Sequence, residues 1–131
     1  MKLEQLSRDV ILRASTLARE RGFSVSICVV DDSGLLRQFL RMDGAVAGTI
    51  DVSIKKARTA ALFGVESIDL GEHAQPGGAI YSLEHTNGGL ISFGGGVVLH
   101  DTNGDILGAV GVAGATVEQD QSIAQAAAGE R

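Results

Sequence analysis

The sequence of 131 residues holds one cysteine, one proline, no tryptophan and five other aromatic residues. A lone Cys28 excludes an intrachain disulfide framework and any multi-cysteine zinc site. No apolar run approaches the roughly 20 residues of a membrane-spanning helix. Met1-Lys2-Leu3-Glu4 opens an alternating polar and apolar segment, unlike the apolar stretch of a signal peptide. A cytoplasmic protein with no membrane partner is therefore expected. Positive charge is also scarce: no Lys or Arg lies between Thr59 and Glu130. The first 58 residues hold ten Lys/Arg against seven Asp/Glu, and the remainder holds one against nine. Such a chain offers no basic stripe for phosphates, so no nucleic-acid partner is expected. An anionic ligand would have to meet first-half cations or backbone N–H groups.

What is present suits one domain over residues 1–131, a length that buries roughly two-thirds of its surface on folding. Leu3, Leu6, Val10, Ala14, Leu17 and Ala18 recur at helical spacing, and Gly22 follows as a stop. The period then changes to two: Val25, Ile27 and Val29 alternate with Ser24, Ser26 and Cys28. Asp31-Asp32-Ser33-Gly34 is a turn signal, with Leu35 to Arg41 as the returning strand of a hairpin. Ile50, Ile54, Ala57 and Ala61 mark a second, alanine-rich helix carrying Lys55, Lys56 and Arg58. From Gly64 to Gly89 the pattern weakens to two helical turns, Ser67 to Glu72 and Ala79 to Leu83, around Gln75-Pro76-Gly77-Gly78. Strands are expected at Leu90 to Phe93, Val97 to His100 and Ile106 to Ala113, with an Asn103-Gly104 hairpin between the last two. A helix from Val117 to Ala128 closes the chain, capped by Thr116 with Gln119 in capping-box position. This order predicts an α+β fold, an antiparallel sheet of about five strands flanked by helices.

The glycines of Gly94-Gly95-Gly96 and of Gly108, Gly111 and Gly114 lack the residues of a P-loop or dinucleotide fingerprint. Close approach of another backbone is the favoured reading, and a ligand against bare backbone the minority one. His73, His85 and His100 show no helical metal-site spacing, and no dedicated metal site is expected. His73 and His85 read as exposed loop histidines, with ligation of a haem or metal under the loop as the alternative. Cys28 reads as an inert buried or half-buried thiol. Arg41 and Asp43 could hold a carboxylate or fix their loop. Lys56 shares its side of the helix with Ala60 and Phe63, so a partly covered ammonium there could meet an anionic ligand, although snorkelling to solvent is the commoner arrangement.

The ordered set Val29-Val30-Asp31-Asp32-Ser33-Gly34, Arg41-Met42-Asp43-Gly44-Ala45, Lys56-Ala57-Arg58-Thr59-Ala60, Gly94-Gly95-Gly96-Val97 and Ile106 to Gly114 resembles the GlcG/HbpS-like family. Glu118-Gln119-Asp120 and the alanine-rich last helix continue the match. The resemblance implies a profilin-like α/β arrangement and assembly as homodimers or larger homo-oligomers. It implies haem or a corrinoid such as cobalamin as cofactor, some members being haem-binding or haem-degrading sensors and others the C-terminal part of PduO. Ala113 and Ala115 replace a serine and a glycine of the family's run, which weakens any role for a hydroxyl there.

These readings lead to a binding protein for a small anionic or tetrapyrrole ligand, accessory to a metabolic pathway. Its site is expected beside the Gly64–Gly89 loop, between Arg41, Asp43, Lys56 and Gly94, Gly95 and Gly96, with His73 and His85 in the loop. Arg41 would hold a carboxylate, Asp43 would orient Arg41, and Lys56 would add a second positive charge. The alternative is a small-metabolite enzyme using Lys56 or a loop histidine as base. The apolar character of both sides of Ile106 to Ala113 and Val97 to Leu99 predicts a self-associating chain, because only three substantial helices are expected to cover them.

Overall fold

The helical stripe of the first twenty residues forms α1 (Lys2–Glu20), which leads into a hairpin of β1 (Ser26–Asp31) and β2 (Leu36–Arg41). Next come α2 (Gly48–Phe63), α3 (Ser67–Ala74) and a single 3₁₀ turn at Leu83–His85. A second hairpin, β3 (Gly96–His100) and β4 (Ile106–Ala113), precedes α4 (Val117–Ala128). The structure is a computed structural model and describes residues 2–129. Its sheet is antiparallel in the order β2-β1-β4-β3.

The expected α+β architecture is present, with four strands where about five were expected. The segment Leu90 to Phe93 does not join the sheet. Its backbone donors go elsewhere: Ile91 N donates to Thr59 Oγ1 at 3.0 Å and Ser92 N to Glu84 Oε2 at 3.0 Å. Donors met by side chains leave no ladder to build. The expected turn at Ala79 to Leu83 forms slightly later, as the 3₁₀ turn at Leu83–His85. Thr116 caps α4, its Oγ1 accepting from Gln119 N at 3.1 Å. The Gln119 side chain turns outward instead and accepts from Arg21 Nη1 at 3.0 Å.

Period-two alternation sorts the sheet into two faces of different bulk. Ile27, Val29, Val97, Leu99, Val110 and Val112 pack with α1 and α4. Cys28, Val30, Val98 and Ala109 pack with Ala57, Ala60 and Ala61 of α2. The second face is built of small residues, and glycine brings α2 closer still. A Cβ on Gly111 would lie 2.1 Å from Ser53 O, and one on Gly96 would lie 2.3 Å from Lys56 O. Close approach of a helix backbone is thus what these strand glycines permit.

Both faces of β4 are covered by helices of the same chain. Ala109, Val110 and Val112 have no exposed surface at all. The expectation that this strand would need a second copy to cover it is therefore overturned. α2 covers one side alone because its alanines and the sheet glycines let it sit flat.

The two hairpins are built alike. Asp31 Oδ1 accepts from Ser33 N and Leu35 N, and Asp101 Oδ1 accepts from Asn103 N and Asp105 N. Gly34 and Gly104 both take left-handed φ values, +79° and +86°. Each hairpin then carries a bulge, which leaves Arg37 and Leu107 without a ladder partner. The second turn is therefore a copy of the first, closed by Gly104 alone, and not a two-residue Asn-Gly turn.

Candidate functional site

Lys56 lies on α2 with its side chain directed at the sheet, and it is 1% exposed. Its Nζ donates to Val112 O at 2.8 Å and to Asp120 Oδ2 at 3.1 Å. The same ammonium stands 5.0 Å from the centre of the Phe93 ring. Asp120, in the first turn of α4, also accepts from Ala115 N at 2.9 Å through Oδ1. Burial pushes the Lys56 ammonium below the ordinary lysine range, and the Asp120 carboxylate beside it pulls in the opposite direction.

Gly94-Gly95-Gly96 is laid over this pair. Gly95 N donates to Gln121 Oε1 at 2.8 Å, and Gly96 N donates to Ser67 Oγ at 2.9 Å. Gln121 Nε2 in turn donates to Glu66 Oε1 at 2.7 Å, while Ser67 Oγ donates to Phe93 O at 2.8 Å. A Cβ on Gly95, whose φ is +128°, would stand 2.7 Å from Lys56 Nζ. At Gly95 a side chain is excluded by the Val112 carbonyl and the buried ammonium together. The network holds Phe93 with one face toward Lys56 and leaves the residue 45% exposed.

Outside Phe93 the chain forms a groove. One part, about 360 Å³, is lined by Gly71, Ala74, Gln75, Pro76, Tyr81, Glu84, His85, Ser92 and Phe93. A second part, about 300 Å³, adds Ile68, Gly94 and Val117 and shares Phe93 with the first. Gly71 lets α3 reach the groove wall, since a Cβ there would meet Ser92 O at 2.0 Å. Glu84 braces the same residue, accepting from Ser92 N at 3.0 Å and from Ser92 Oγ at 2.6 Å. Tyr81 and His85 are both exposed at the groove. Each can ligate iron, through phenolate or imidazole.

The structure brings together some of the residues singled out from sequence and separates others. His85 lines the groove, Phe93 forms its floor, and Gly94 reaches its edge. Gly95, Gly96 and Lys56 lie behind it, bonded to one another's neighbours. His73 sits exposed in the last turn of α3, and its carbonyl accepts from Ile80 N at 3.0 Å. Arg41 and Asp43 stand at the β2 edge of the sheet, whereas Gly96 opens β3 at the other edge. Three strand spacings separate those edges, about 14 Å. Arg41 Nε donates to Ala45 O at 3.0 Å, so its loop is held by a carbonyl and not by Asp43. Asp43 lines a different recess with Arg19, Phe23 and Ser24. The expected site between Arg41, Asp43, Lys56 and the glycines is thus not one place within the chain. The charge of Lys56 is already matched by Asp120, and its burial withholds it from a substrate as a base.

Sequence reasoning passed over Tyr81 and Phe93 as site-forming residues. The signal for Phe93 was its position just ahead of three glycines, in a chain with few aromatics. Among the described residues no group of three or more His, Cys, Asp or Glu is arranged to hold a metal ion. No described helix is long and apolar enough to cross a membrane.

A family model described as haem degrading protein, HbpS-like, matches residues 4–129. The chain is 37% identical over 127 residues to the corrinoid adenosyltransferase PduO of Citrobacter freundii, covering 96% of this chain and 36% of that one. It therefore spans about a third of that relative's length. It is 38% identical over 109 residues to protein GlcG of Escherichia coli strain K12, covering 83% of this chain and 78% of that one. A crystal structure of a PduOC–haem complex superposes with a TM-score of 0.90 at 32% identity, covering 95% of this chain and 91% of that chain.

Proposed function

The chain belongs to the HbpS-like family of haem-degrading proteins, and on that basis we propose that it binds a haem-type tetrapyrrole in the groove floored by Phe93. The observation that carries this reading is the donor set. Tyr81 and His85, two residue types that ligate haem iron, line the same groove as an exposed aromatic ring. Phe93 offers that ring to a flat macrocycle, and Pro76 and Ala74 supply apolar wall. The volume of about 360 Å³ lies in the range of small-molecule sites, roughly 300–1,000 Å³. The haem-bound form of PduOC, similar in fold along nearly the whole chain, supports the same ligand class.

His85 or Tyr81 would hold the metal, and Phe93 would stack on the ring. A bound haem would supply a redox-active iron. Lys56 and Asp120 act from behind, fixing the Phe93 ring and the glycine loop that carries it. Titration of the purified protein with haemin should give a saturable shift of the porphyrin absorption band. Phe93→Ala should weaken binding about tenfold, equivalent to about 1.4 kcal/mol. His85→Ala or Tyr81→Phe should change the band position. Absence of saturation, or three variants identical to the parent, overturns the reading; cobalamin in a parallel titration separates a corrinoid from a porphyrin ligand.

Self-association forms part of the same proposal, on a different surface from the one the sequence pointed to. Leu35 and Leu36 are exposed beside the first hairpin turn, and Leu62 and Phe63 are exposed at the end of α2. A Cβ on Gly34 would stand 3.4 Å from the Leu62 side chain, which makes the two groups neighbours. A patch of this kind on one chain is suited to a symmetric contact with a second copy. Light scattering should give a mass above the monomer that falls with Leu36→Glu; a monomer at micromolar concentration overturns it.

A further inference from the structure

Among the described residues, the groove is lined by acids and by no lysine or arginine. Glu84 is fixed at its wall by Ser92, and Glu72 lines its outer part. Asp69, on the same helix as Glu72, has its carboxyl pushed up by partial burial and then by Glu66 and Glu72 nearby. That accumulation of negative charge is a property of the α3 side of the groove. The cations that approach are already engaged. Lys56 is paired with Asp120 beneath Phe93. Lys55 is paired with Asp51 at 3.0 Å. Arg58 donates to Asn87 O and Gly89 O, and does not line the groove. Among the described residues on this side, His73 and His85 are exposed and His85 lines the groove.

A haem bears two carboxylates, and protein sites that recognise them use Arg or Lys. This groove has neither to offer. A carboxylate turned into it would meet Glu72 and Glu84, a like-charge contact at the edge of a low-dielectric wall. The macrocycle face and the metal remain attractive to Phe93, Tyr81 and His85.

We propose that the groove selects flat aromatic ligands by ring face and metal, with the inserted edge uncharged or cationic and any carboxylates left in solvent. This rests on the tetrapyrrole reading above and deepens it by naming the charge of the ligand that fits. It also reverses the anionic ligand expected from sequence, since the first-half cations that would have met such a ligand are engaged elsewhere.

The test compares haemin, its dimethyl ester and a metalloporphyrin bearing quaternary ammonium groups, each titrated at low and high ionic strength. The ester should bind roughly threefold to tenfold tighter than haemin at low salt, and the cationic porphyrin tighter still. Salt should strengthen haemin binding, weaken that of the cationic porphyrin and leave the ester unchanged. Glu72→Gln, which removes a groove charge without touching the Ser92 bonds, should narrow the gap between haemin and ester. Haemin binding tighter than its ester, or weakening with salt, overturns the charge selectivity while leaving the tetrapyrrole reading intact. Failure of all three porphyrins to bind removes that reading itself, and the selectivity with it.

Discussion

Lys56 and Asp120, 64 residues apart, form the one ion pair among the described residues that joins the cation-bearing first half of the chain to its acid-rich second half. The other two pairs are local contacts one helical turn long. The pair pins α2, α4 and the end of β4 at one point, through Val112 O as well as Asp120. It also sets the floor of the groove through Phe93.

Breaking this pair from one side should be costly. Lys56→Met strands a buried carboxylate, and Asp120→Leu strands a buried ammonium, each costing about 3–5 kcal/mol. The double variant Lys56→Met with Asp120→Leu should recover most of that loss, because no charge is then left unmatched. Urea unfolding of the four proteins gives the cycle. Additive losses would show that the two residues are not coupled.

Glycine-to-alanine changes should divide by position. Gly111→Ala sets a Cβ 2.1 Å from Ser53 O, where a backbone must move, and should cost about 2–4 kcal/mol. Gly48→Ala meets open space at the start of α2 and should stabilise by about 0.5 kcal/mol. Melting temperatures decide between them. Equal effects would mean that close approach of α2 to the sheet is not what Gly111 provides.

Alkaline stability should depend on Cys28. Burial pushes its thiol from 9.0 up to about 12 in the folded chain. Above pH 9 the unfolded chain releases a proton that the folded chain keeps, so stability falls as pH rises from about 9 to 12. The depressed ammonium of Lys56 acts in the opposite sense in alkali, since there the unfolded chain holds the extra proton. The difference between parent and Cys28→Ala isolates the thiol. The variant should lose about 1 kcal/mol near neutrality and show a flatter alkaline decline. Parallel curves for the two would contradict a buried thiol, as would rapid reaction of Cys28 with a disulfide reagent before unfolding.

The matched hairpins predict matched costs. Asp31→Ala and Asp101→Ala each remove a carboxylate oxygen that holds two turn N–H groups. Each should cost about 0.5–1.5 kcal/mol, and the two should add because the turns share no hydrogen bond. Chemical denaturation of the single and double variants measures this. A large difference between the singles would show that one turn is held by something other than its aspartate.

Much of this architecture could be read from local pattern. The stripe from Leu3 to Ala18, the alternation from Ser24 to Val29 and the cap at Thr116 all correspond to observed elements. The irregular 64–89 segment was also marked as the region to watch, and His85 within it lines the groove. The site itself was less legible. Lys56 was rightly placed on an apolar side of its helix, but its partner lies 64 residues on. Counted with period two, Ile106 shares a face with Val110 and Val112, yet it packs with α2 while Leu107 packs with α1. The bulge at Leu107 exchanges the two sides, and period-two counting cannot see a bulge.

The sequence by itself determined the order of elements, the turns at Gly34 and Gly104, and the absence of Lys and Arg from residues 59–129. These follow from short-range backbone geometry and from composition, which need no partner to be expressed. The tertiary structure decided that Leu90 to Phe93 would leave the sheet, that one alanine-rich helix would cover a whole face, and that Lys56 would be spent on Asp120 rather than a ligand. Those outcomes depend on which groups lose water together. Desolvation is settled only when segments distant in sequence meet, because a buried charge or N–H must take the nearest partner the fold presents.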